Sequence, residues 1–149
     1  MLVSEMAEQR LAMAKQMGAT GTLTPGATLG EDFADVSGEA PDVIFECVGA
    51  PGLLQESINI APSRSRIVPV GVCEEPDTII PVQALVKELS LYFAIAYTRD
   101  DFETVIAMLG QKRIDATAMI TDIVNLDDMP AAFEALRSPT TQCKVLTEL

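Results

Sequence analysis

The 149-residue chain contains no histidine at all. That removes imidazole as general base, as proton shuttle and as zinc ligand. Its three cysteines, Cys47, Cys73 and Cys143, are scattered and form no C-x-x-C pair. An odd, unpatterned count fits reduced thiols, and a cytoplasmic location is expected. Basic residues are scarce: 10 against 22 acids, a net charge of −12. No basic stripe is available to neutralise phosphates, so nucleic acid is not an expected partner. No apolar run is long enough to span a bilayer, so no membrane span is expected. The amino terminus has no basic stretch followed by an apolar one, and no signal peptide is expected.

What is present centres on Asp42-Val-Ile-Phe-Glu-Cys-Val-Gly49. Val43 to Val48 is apolar except at Glu46, and it ends in Gly and Pro. Such a run predicts a strand buried on both faces, at the centre of a parallel sheet. Leu53 to Ile58 then reads as a helix, and Arg66 to Val72 as a second strand closing on Gly71. Strand, helix and strand in series make a βαβ unit. Ligands of open α/β sheets sit just outside the carboxyl ends of such strands.

The rest of the chain extends this alternation. Leu2 to Ser4 is a short strand, Ala7 to Met17 a helix closed by Gly18, and Thr22 to Thr24 a strand. Glu31 to Val36 predicts a short helix, and Pro81 fits the first position of another reaching Lys87. Leu89 to Tyr97 reads as a strong nine-residue strand. Asp100 or Asp101 is expected to cap a helix from Phe102 to Leu109. Ile120 to Leu126 is extended, Asp127-Asp128 caps Pro130 to Leu136, and Cys143 to Leu146 is a last strand. The paired acids 31/32, 74/75, 100/101 and 127/128 read as caps and solvation. The class is α/β with a largely parallel sheet.

Several segments together resemble zinc-type alcohol dehydrogenases of the medium-chain dehydrogenase/reductase family. They are Arg10 to Thr20, Asp42 to Gly49, Arg66 to Gly71, Arg113 to Ala116 with Ile120-Thr121, and Ala132 to Arg137 with Lys144 to Leu146. The resemblance implies an incomplete Rossmann-type, doubly wound, mostly parallel sheet that lacks the first strand and its Gly-rich turn. One partial NAD-binding domain would span residues 1–149, with 98–149 as a tail that packs on the catalytic domain in complete members. Zinc would belong to the complete member only. The full protein would pass hydride between an alcohol or polyol and NAD, and this chain alone would be inactive and bind NAD weakly or not at all. The other reading is a standalone acidic α/β module for binding or oligomerisation.

The resemblance assigns Glu5, at the end of the first strand, to the adenosine ribose, with Arg10 near it. A carboxylate there accepts the ribose hydroxyls and repels a 2′-phosphate. The plain alternative is a solvated acid stabilised by a helix dipole. Cys47, Val48, Gly49, Val70, Gly71, Val72 and Ile95 match positions lining the nicotinamide and its ribose. For the valines, ordinary sheet core is the favoured reading. Glu46 is read as structural, and Cys47 is no nucleophile without a histidine to activate it. Pro62-Ser-Arg-Ser65 stands where the family has a glycine-rich turn, and Asp122 where many members have histidine. Without the first strand, two sheet edges are exposed, and direct pairing or another subunit's segment is expected to fill the gap. The uncharged, proline-free Leu89–Tyr97 edge predicts a homodimer, as in the family. The missing N-terminal part is the other expected partner.

Overall fold

The computed structural model describes residues 1–137 and 142–148. Two compact units divide them: Gly26–Thr98, and Met1–Pro25 together with the described part of 99–149.

In the second-named unit, β1 (Leu2–Ser4) pairs in parallel with β2 (Gly21–Leu23), in the register Leu2↔Gly21 to Ser4↔Leu23. The crossover is α1 (Glu8–Gln16). Gly18 ends it at φ 95°, where its N–H donates to Lys15 O at 3.0 Å. A side chain at that φ would be strained. The same unit holds α5 (Arg99–Gly110), β6 (Ile120–Asn125), α6 (Met129–Ala135) and β7 (Lys144–Glu148). β6 and β7 pair in parallel, with a register shift between Ile120 and Asp122. Thr121 spans the irregularity: its Oγ1 accepts from Cys143 N at 3.1 Å and donates to Lys144 O at 3.3 Å.

The Gly26–Thr98 unit contains α2 (Leu29–Ser37), β3 (Val43–Glu46), α3 (Leu53–Ile60), β4 (Arg66–Pro69), α4 (Pro81–Val86) and β5 (Ser90–Leu91). The strands form one parallel sheet, ordered β3-β4-β5. The register aligns Ile44, Ile67 and Leu91 in a single row. That row packs with Leu54 and Ile58 of α3, and Ile58, Ala61 and Ile67 are the buried centre. Alternate residues of a strand face opposite ways, so the row beside it, Phe45 and Val68, lies on the other face.

Four expectations are corrected. Val43 to Val48 is not a strand buried on both faces. Strand geometry stops at Glu46, β3 is an edge of its sheet, and Phe45 is 64% exposed. Of the two ways expected to fill the gap between the Leu2–Ser4 and Val43–Glu46 strands, direct pairing does not occur, because they belong to different sheets, and a segment of another subunit is the way left. The nine-residue strand Leu89–Tyr97 shrinks to Ser90–Leu91. Tyr92 N and Ala94 N still donate to Ile67 O and Pro69 O, but Pro69 has no N–H to return a bond, and Ala96 turns out at φ 58°. Asp100 and Asp101 lie inside the first turn of α5, which starts at Arg99, and Asp128 precedes α6 without a side-chain cap bond.

The Pro62-Ser-Arg-Ser65 segment makes its turn without glycine. Arg64 adopts φ 67°, and its N–H donates to Lys87 O at 2.7 Å. Among the described residues, no helix is long and apolar enough to cross a membrane.

Candidate functional site

Glu5 follows β1 and precedes α1, and its carboxylate collects four donors. Oε1 accepts from Met6 N at 2.7 Å, Ala7 N at 2.9 Å and an Arg10 terminal nitrogen at 2.9 Å, while Oε2 accepts from Arg10 Nε at 2.8 Å. The two-pronged guanidinium contact fixes the carboxylate's orientation. With the two backbone N–H bonds, it lowers the Glu5 pKa to about 2, against a smaller opposing effect of burial. The same pairing raises the Arg10 pKa. The helix-start explanation of Glu5 is therefore real, since both N–H donors come from the entry to α1. It does not use up the carboxylate: among the described residues, Oε2 accepts from Arg10 alone.

In the other unit, the turns after β3 and β4 meet at their backbones. Glu46 organises both. Its Oε1 accepts from Val48 N at 2.7 Å and Gly49 N at 2.9 Å. Its backbone O accepts from Val70 N at 2.7 Å and Gly71 N at 2.9 Å. Gly49 stands at φ 73°, and a Cβ there would meet Val72 N at 2.5 Å. A Cβ on Gly71 would fall on Gly49 N. Both glycines are required by this close approach.

Cys47, Val48, Gly49, Val70, Gly71 and Val72 are thus brought together on two touching turns. Ile95 lies beyond β5 and is 80% exposed. The sheet-core reading of the valines is overturned: Val48 is 73% and Val72 61% exposed, and Val70 is exposed too. Strand geometry has ended before each of them, so the sheet does not cover them. Cys47 is exposed, yet desolvation first and the Glu46 charge second push its thiol up. A raised thiol is a poor nucleophile at neutral pH.

A further clamp went unforeseen. Asp77 Oδ1 accepts from Gly52 N, at the start of α3, and from Thr78 N, both at 2.8 Å. Gln55 Oε1 accepts from Ile80 N at 2.6 Å. The loop after β4 is therefore strapped to α3, with a chain carboxylate at the helix start. The Pro-Asp-Thr sequence was the available signal, as aspartate often closes such local turns.

These features define a Rossmann-like α/β protein, with parallel strands, helical crossovers and glycine turns at the carboxyl ends of the strands. The family model described as zinc-binding dehydrogenase matches residues 2–111, and the chain belongs to that family. The starvation-sensing protein RspB of Escherichia coli K12 is 31% identical over 149 residues, covering 97% of this chain and 43% of that protein. D-xylulose reductase of Saccharomyces cerevisiae is 28% identical, covering 97% of this chain and 42% of the relative. Among solved structures, RspB of E. coli CFT073 complexed with NADH superposes with a TM-score of 0.89 at 29% identity. It is covered over 99% of this chain and 44% of that one. Bacillus subtilis 2R,3R-butanediol dehydrogenase gives 0.87 at 26%, covering 99% and 43%. The chain spans about two-fifths of the length of these curated relatives, and the part it spans corresponds to the C-terminal, nucleotide-binding part of medium-chain dehydrogenases.

The donors present do not fit a zinc centre. The sequence has no histidine, and the described residues bring together no group of three or more Cys, Asp or Glu side chains that would hold a metal.

Proposed function

We propose that this chain is the nucleotide-binding portion of an NAD-linked alcohol or polyol dehydrogenase, with no turnover of its own. The observation that carries the reading is Glu5. It is ionised across the physiological range, oriented by Arg10, and keeps an oxygen with spare acceptor capacity. Such a group suits a ribose diol and repels a 2′-phosphate. Cys47 to Gly49, Val70 to Val72 and Ile95 are the proposed contacts of the nicotinamide half. Arg10 acts here as the partner that orients Glu5. Binding is expected to be weak, because the sequence contains no Gly-x-Gly-x-x-Gly turn to hold a pyrophosphate.

Calorimetry with both cofactors tests this. NAD should bind more tightly than NADP, and Glu5→Gln should narrow the difference. Micromolar NADP binding with none for NAD would refute the role of Glu5. Zinc and alcohol turnover are assigned to the complete family member. Elemental analysis of the purified chain should find no stoichiometric zinc, and an alcohol panel with NAD should give no reduction. Either signal would overturn that assignment.

A second reading, an oligomerising acidic α/β module without catalysis, is favoured by the exposure of Phe45, Phe93 and Ile95. Both readings include a homodimer through Leu89–Tyr97 and a cytoplasmic location.

A further inference from the structure

We propose that Glu46 is a positioning residue, whose side chain and backbone carbonyl together tie the two turns after β3 and β4 into one preformed face. The inference rests on the nucleotide-binding reading for what that face receives, but not for how it is built.

The geometry is local and specific. Two consecutive N–H groups, Val48 and Gly49, converge on one oxygen of Glu46 at 2.7 and 2.9 Å. Two more, Val70 and Gly71, converge on its backbone carbonyl at 2.7 and 2.9 Å. One residue thus receives two donors from each turn. Gly49 and Gly71 then let the turn backbones touch, so a displacement of the first turn must displace the second. The result holds Val48, Val70 and Val72 outward with no apolar cover. Exposed valines carry no hydrophobic reason to keep that arrangement. Hydrogen bonds supply it instead, from the first turn to the Glu46 side chain and from the second to its backbone carbonyl. A binding face of this kind gains affinity from being preformed, because no ordering cost remains at the moment of binding.

Glutamine keeps a carbonyl oxygen at nearly the same reach, while alanine removes the acceptor. Amide hydrogen exchange on the 149-residue chain is the primary measurement. In Glu46→Ala, Val48 and Gly49 should exchange about tenfold faster or more, and Gly71 should follow. Ile58 and Ile67, in the core, should keep their wild-type rates. Glu46→Gln should restore protection at both turns. Unchanged protection in Glu46→Ala overturns the proposal. So does lost protection at Val48 and Gly49 in the folded glutamine variant, which decides the matter even if the alanine variant does not fold.

The second measurement is NADH titration of wild type and both variants. Affinity should fall in Glu46→Ala and return in Glu46→Gln, a rescue that general destabilisation does not produce. Wild-type affinity retained in a folded Glu46→Ala variant would overturn the positioning role. If the wild-type chain binds no NADH, the nucleotide reading fails while the exchange result still decides whether Glu46 positions the turns.

Discussion

Glu5 and Arg10 were each legible as single residues; their pairing was not. Five positions separate them, outside the i, i+4 spacing that sequence reading searches, and Glu5 precedes the helix that carries Arg10. The bond forms because the chain bends at Glu5 to enter α1, a turn visible only in three dimensions. A pH dependence follows from it. The Glu5 pKa lies at about 2 in the folded chain against a usual 4.5. A depressed carboxylate contributes stability above its unfolded pKa and loses it as pH falls through the folded one. The contribution should therefore be complete above about pH 5 and decline towards pH 2. The pair lies at the surface, where water screens it, so its size should be on the order of 1 kcal/mol or less. Urea unfolding of wild type and Glu5→Gln checks this: the gap between them should close with acidification. A gap independent of pH between 5 and 2 would remove the ion pair as its source.

Among the elements, helices were legible and strands only in their positions. The helices α1, α3 and α4 carry strong periodicity, a glycine stop or a proline start, and the sequence places all three to within two residues. Strand ends were misplaced because an apolar run marks where a strand can lie, while hydrogen-bonding neighbours decide where it stops. β5 is short because β4 offers it only four residues ending in proline. The same limit explains why the apolar run to Val48 was mistaken for core. What the sheet does bury is the row Ile44, Ile67 and Leu91 under α3. Ile58 and Ile67 have no exposed surface. Ile67→Ala should cost about 2–5 kcal/mol, measured by denaturant unfolding, and Ile58→Ala should cost a similar amount. Phe45→Ala, on the open face of the same sheet, should cost much less, under about 1 kcal/mol. Equal losses at Ile67 and Phe45 would mean that the open face is covered in solution.

For the molecule as a whole, that cover is the question, because large apolar side chains are widely exposed. Phe45, Val72, Tyr92, Phe93, Ile95 and Tyr97 all lie in the one unit, Gly26–Thr98. Where such side chains form a contiguous patch, they mark an interaction site. The proposed homodimer uses the segment from Leu89 to Tyr97. β5 is the sheet's edge, so among the described residues its outer side has no strand neighbour in the order β3-β4-β5. The stretch has no charge and no proline to discourage pairing. A second copy related by a two-fold axis would extend two sheets into one and cover both edges. The shortness of β5 changes what is expected of this contact: pairing in the dimer should lengthen the strand beyond Leu91, with Phe93 and Ile95 supplying apolar area. Sedimentation of the wild-type chain should give a dimer, and Ile95→Lys or Tyr92→Lys should shift it to monomer. A wild type that remains monomeric at high concentration would end the proposal, as would a dimer indifferent to both substitutions. The competing edge is β3, where Phe45 faces outward. If association runs through that edge, Phe45→Lys will dissociate the dimer while Ile95→Lys leaves it intact, so the three variants assign the interface to one side of the sheet or the other.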